Sequence, residues 1–120
     1  MAKEWNTSGY VYLIRSSNGL YKIGCSNNVV KRMGVLRTMS PVELTLVHSI
    51  EYDEMYSLEE ALHYKFSNNR HHGEWFSLSE SQVRWIKSLD KENLRISRFY
   101  KGNQMVIKIE IFNASGEEKT

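Results

Sequence analysis

Apolar residues crowd together in some stretches of the chain, alternate with polar ones in others, and recur every three or four positions elsewhere. In YVYLIR (10–15) and LYKIG (20–24) aromatic and β-branched residues flank SSNG, which predicts a β-hairpin. With Ser17, Asn18 and Gly19 as a three-residue loop and Gly19 left-handed, residues whose numbers sum to 36 face one another. Tyr12 then stands opposite Gly24, and Lys22 opposite Ile14. A two-residue turn would send Lys22 to the other face. Val29, Met33 and Leu36 fall at helical spacing after Asn27, a suitable N-cap, and Pro41 closes that segment although Gly34 weakens it. VELTLVHSIEY reads as a third strand. Asp53 can cap a second helix running to about Ser67, and SLSESQVRWIKSL a third, with Ser79 and Gln82 at capping-box spacing and Val83, Ile86 and Leu89 as its apolar stripe. Met105, Ile107, Ile109 and Ile111 alternate after a KGN turn, so LRISRFYKGNQMVIKIEIF forms an added hairpin. The order β-β-α-β-α-α plus hairpin predicts an α+β fold.

Composition narrows the classes. A chain of 120 residues is sized for one domain, with a polar loose start at 1–8, a core at 9–90, the C-terminal hairpin extension at 91–112 and a polar tail at 113–120 expected to fray. A lone Cys25 and no apolar run near the roughly 18 residues of a membrane span predict no disulfide framework, no membrane partner, no secretory leader and a cytoplasmic setting. The net charge of +2 is unremarkable in itself. Its distribution says more: 6 basic against 2 acidic residues in 1–50, 5 against 9 in 51–93, and 5 against 3 beyond. The acidic middle is suited to hold a cation.

Several polar residues sit where a core would not put them. Met55, Leu62 and Phe66 define the buried stripe of the second helix, and Glu59 lies on it. Glu59 is thus a solvated edge, a buried ion-pair partner or a metal ligand. Glu60 next to it completes a capping box if the helix begins at Ser57. His63 follows Glu59 by one turn, and with His71 and His72 it raises zinc, but the spacing matches no standard zinc pattern. Tyr12 and Tyr10 are either ordinary strand tyrosines or chemical groups. Arg32 borders the stripe of the first helix, as a cation whose stem covers the core or as a clamp on two phosphate oxygens.

YVY at 10–12, KIG at 22–24, Arg32 ten residues after Lys22, EEALHYKF, and GEWF at 73–76 together resemble the GIY-YIG nuclease superfamily, in its compact phage and bacterial branch. The resemblance covers about Gly9 to Ile86. It implies a three-stranded antiparallel sheet flanked by helices, with Tyr12 touching an attacking water, Arg32 gripping the scissile phosphate and Glu59 holding one divalent ion, normally Mg2+ or else Mn2+. Lys22 stands where the second triplet should begin with tyrosine, and Leu36 where many relatives carry histidine. An ammonium beside Tyr12 would favour its phenolate, so Lys22 is expected to activate Tyr12 as general base or to donate to the phosphate. Tyr10 packs beside them and His63 orients Glu59 or the substrate. Trp75 and Phe76 are expected to close the core under the second helix, with Glu74 unassigned.

The resulting expectation is a metal-dependent DNA endonuclease with a one-metal mechanism. Lys3, Arg15, Lys31, Arg37, Arg95, Arg98 and Lys101 would contact phosphates and make binding salt-sensitive. With no base-reading motif, the core is expected to be structure-selective or weakly specific unless a partner, or a homodimer through the C-terminal hairpin, supplies recognition; the edge of that hairpin could instead extend the central sheet. The rivals are a nucleic-acid-binding module that keeps the fold without turnover, and a protein-interaction domain.

Overall fold

The first hairpin forms in the register that a three-residue loop demands. Tyr12 pairs with Gly24 and Ile14 with Lys22, joining β1 (Gly9–Ser16) to β2 (Tyr21–Ser26). Gly19 takes φ +92°, the left-handed conformation that a side chain would resist. The computed structural model describes residues 7–112 and the backbone of Glu118–Lys119. After the hairpin come α1 (Val29–Met39), β3 (Leu44–Tyr52), α2 (Met55–Lys65), a 3-10 turn (Ser67–Asn69), β4 (Arg70–His72), β5 (Trp75–Phe76), α3 (Glu80–Lys87), β6 (Leu94–Lys101), β7 (Gln104–Phe112) and β8 (Glu118–Lys119). The class is α+β.

The central sheet has five strands in the order β3-β1-β2-β5-β4, wider than the expected three. The two extra strands come from RHHGEWF, too short and too polar to show alternation, folded back at Gly73 with φ +54°. β1 lies between β3 and β2 and is buried on both faces, which is why its apolar residues run together. Val11 and Leu13 join a core with Leu58, Leu62, Phe66, Phe76, Ile86 and Leu89, so α2 and α3 cover that side. Tyr12 and Ile14 join a smaller cluster with Met33 of α1 and Leu44. Phe76 is therefore under α2, whereas Trp75 packs with the smaller cluster on the opposite face.

Two helix starts differ from expectation. α1 is capped by Asn28, whose Oδ1 accepts from the Lys31 N–H at 3.0 Å, rather than by Asn27. α2 begins at Met55, whose N–H donates to the Thr7 carbonyl at 3.0 Å; Glu54 rather than Asp53 holds the N-cap position, without a side-chain cap bond, and Ser57 is already inside the helix and forms no capping box with Glu60. The box at Ser79 and Gln82 does form.

β6 and β7 do not extend the central sheet. They form a second sheet in the order β6-β7-β8, with Ile96, Ile109 and Ile111 packed against the main core. β8 is a short addition that the polar tail did not announce; residues 1–6, 113–117 and 120, and with them Lys3, lie outside the described residues. No helix among the described residues is long and apolar enough to cross a membrane.

Candidate active site

The site arises where the central sheet stops. β5 pairs with β2 only at Tyr21 and Lys22, and the Ile23 N–H donates to the Glu74 carbonyl at 3.1 Å. Beyond Ile23, no strand among the described residues covers that edge of β2. Gly24 lies there, and a Cβ on it would overlap the phenol of Tyr12, so the ring lies across the glycine toward the open edge. Only a residue without a side chain allows that approach.

Tyr12 is 3% exposed, and burial pushes its phenol up to about 12. The Arg32 guanidinium acts in the opposite direction, whereas Glu74, Cys25 and Glu59 raise it further. Arg32, Glu59 and Glu74 therefore all lie within electrostatic reach of one hydroxyl, although they come from α1, α2 and the β4–β5 turn. At neutral pH that hydroxyl keeps its proton.

Lys22 has partners of its own at the sheet edge. Its Nζ lies 3.0 Å from Glu74 Oε1 and 5.5 Å from the centre of the Trp75 ring. The register explains this, since Lys22 sits opposite Trp75, next to Glu74 in the chain. Glu74 is the residue that sequence reasoning left unassigned. Its signal was present in GEWF, but its partner is set by a strand pairing too short to read.

α2 supplies Glu59, 8% exposed, and His63 one turn later. His63 Nε2 is 2.8 Å from the Ile23 carbonyl, and its ring packs at 5.1 Å on Phe76. A carbonyl can only accept, so Nε2 is the donor and the lone pair of the neutral ring resides on Nδ1. Glu59, His63 and Glu74 each offer one ligand atom, all within 4.8 Å of one another. His71 and His72 are outside this group; they are exposed, with their Nδ1 atoms 2.7 Å apart.

Arg32 is exposed rather than bordering the core, in the first turn of α1, where it and Lys31 line a groove of about 160 Å³ with Ser26, Asn27, Asn28 and Val35. Tyr10 is half-buried, opposite Ser26. The other cations scatter. Arg15 and Lys101 are exposed at hairpin ends, and Arg37 lines a separate groove with residues 42–45. Arg95 stacks on Phe112 at 5.0 Å, and Arg98 reaches Glu60 at 3.1 Å, so both hairpin arginines are engaged within the chain.

A family model, that of the T5orf172 domain, matches residues 9–90. No curated protein and no solved structure matches the chain. The match overturns the resemblance to the GIY-YIG nuclease superfamily drawn from the short motifs: the family over this span is T5orf172. The triplets at 10–12 and 22–24 are ordinary content for a buried hairpin, and Lys22 already broke the second. The matched span ends before β6, so the second sheet lies outside it.

Proposed function

The chain belongs to the T5orf172 domain family, a nuclease-associated domain, and we propose on that premise that it is a metal-dependent DNA endonuclease. The observation that carries the reading is the gathering of Arg32, Glu59 and Glu74 around the Tyr12 phenol at an open sheet edge. That is a constellation suited to a phosphodiester, with a cation for the phosphoryl oxygens, carboxylates for a divalent ion and a hydroxyl for the water.

In this reading Arg32, beside its groove, holds phosphoryl oxygens, and Lys31 a neighbouring phosphate. Glu59 would hold one divalent ion, Mg2+ or Mn2+; a buried carboxylate near a second carboxylate and an imidazole suits such a cation. When bound, the ion supplies charge against the phosphoryl oxygens and acidifies water. Tyr12 orients the attacking water through its hydroxyl. Burial first, and carboxylate charge second, hold the proton on its phenol, so it becomes the general base only when a cation close by offsets both. Lys22 contributes indirectly, by neutralising Glu74.

The test is nicking of single-stranded and duplex DNA in Mg2+ or Mn2+ by wild type and Glu59→Ala, with binding measured in Ca2+. The expected outcome is a loss of about 10³-fold or more in rate for Glu59→Ala, with DNA binding held within a few-fold. A second reading, a nucleic-acid-binding module without turnover, is favoured by the firmly held Tyr12 proton and by the engagement of Lys22 with Glu74. DNA binding without cutting by wild type selects it. Absence of both removes both.

A further inference from the structure

We propose that Glu59, His63 and Glu74 form a three-ligand site for one divalent transition-metal ion of the Mn2+ class, and that Lys22 holds Glu74 while the ion is absent. What the ion does to DNA rests on the endonuclease reading above; whether it binds does not.

Donor atoms around one ion at about 2.1 Å stand roughly 3 to 4 Å apart. The ligand atoms of this trio all lie within 4.8 Å, so closing around an ion asks for shifts of about an ångström. Two of the three ligands are anchored by one residue. Ile23 accepts from His63 Nε2 through its carbonyl and donates to the Glu74 carbonyl through its N–H. A histidine whose one ring nitrogen donates to a backbone carbonyl, leaving the other nitrogen with its lone pair, is oriented as metal-bound histidines usually are.

The charges point the same way. Two carboxylates brought this close, one of them in the core, call for a cation between or beside them. Lys22 meets that need for Glu74 at 3.0 Å, with the ammonium largely sheltered. An ion entering the trio competes with that ammonium for the same carboxylate and frees Lys22.

The donor set also selects the ion. A single carboxylate with waters suits Mg2+, whereas an imidazole nitrogen shifts preference toward first-row transition metals. The trio should therefore take Mn2+ in preference to Mg2+.

The experiment is binding of Mn2+ and of Mg2+ to the full chain without DNA, by titration calorimetry, with pulsed electron paramagnetic resonance of the Mn2+ form and circular dichroism of each variant. Expected are one Mn2+ per chain, affinity at least about tenfold above that for Mg2+, and a directly bound nitrogen signal that vanishes in His63→Ala. Glu74→Gln should weaken Mn2+ by about tenfold or more, while Lys22→Met should tighten it several-fold. The second change runs opposite to any effect of misfolding. The proposal is overturned if wild type binds no Mn2+, if bound Mn2+ shows no nitrogen ligand, or if neither Glu74→Gln nor Lys22→Met alters affinity. Mg2+-dependent cutting that survives such a result leaves the endonuclease standing without this site. A filled trio with no DNA cutting keeps the site and removes the endonuclease.

Discussion

The two long hairpins of this protein share a plan and differ in what surrounds them. Each turns through a left-handed glycine, Gly19 at φ +92° and Gly102 at φ +66°, and each pairs antiparallel. The first has both faces covered. Val11 and Leu13 face α2 and α3, and Tyr12 and Ile14 face α1. The second rests one face on the core through Ile96, Ile109 and Ile111, whereas its tip leaves Phe99 46% and Tyr100 68% exposed. Among the described residues, a buried phenol with acidic and basic groups close by is found at the first. A phenol that is shielded from water and has charges from three other segments within reach needs walls on both sides of its strand, and among the described residues no helix covers the outer side of β6–β7.

Substituting alanine for a glycine in each hairpin should separate them most widely. At Gly24 a new Cβ overlaps the Tyr12 phenol, and that ring, packed inside a central sheet, has nowhere to withdraw. Gly24→Ala should cost about 3 kcal/mol, the upper end of ordinary overpacking. Gly102→Ala meets nothing within 4 Å and bears only the left-handed strain, about 1 kcal/mol. Urea unfolding of both variants gives the comparison, and equal losses would mean that the Tyr12 ring is free to move.

A smaller effect probes the walls of the first hairpin by pH. The Tyr12 phenol is pushed up to about 12 in the folded chain from about 10 when unfolded. The folded state thus binds the proton more tightly, so this stabilisation is complete below pH 10 and is lost as pH climbs toward 12. Between pH 9 and 11.5 wild type should lose about 2 kcal/mol that Tyr12→Phe does not lose. Burial also raises Tyr52, so both proteins keep a common background decline. Parallel pH curves for wild type and Tyr12→Phe would show that the phenol is hydrated after all.

What the sequence disclosed follows the range of the interactions involved. The register of β1–β2 was readable because a short loop and one glycine set it locally, and the Ser79–Gln82 box because both halves lie within one helical turn. β4 and β5 were not readable, since two- and three-residue strands exist only because β2 offers an edge to pair with. The same cause hid the Lys22–Glu74 pair. Lys22 shares a face of the hairpin with Tyr12, and Glu74 reaches it from across the sheet with the opposite charge. The inward placement of Glu59 was legible from helical spacing alone; that Glu74 would come close to it was not.

The smallest expected effect concerns what holds the second hairpin down. Arg98 reaches Glu60 of α2 at 3.1 Å through Nη2 and 3.4 Å through Nε, with both side chains partly in solvent. Pairs of this kind are worth about 0.2 to 1 kcal/mol and are weakened by salt. A double-mutant cycle with Glu60→Gln and Arg98→Ala isolates the pair from the other interactions of Arg98. The coupling should fall below about 1 kcal/mol at low salt and nearly vanish at 1 M. If instead it exceeded about 2 kcal/mol, the hairpin would be held by charge rather than by Ile96, Ile109 and Ile111. Its docking would then depend on ionic strength, and the contrast with the apolar walls around Tyr12 would become one of chemistry as well as of coverage.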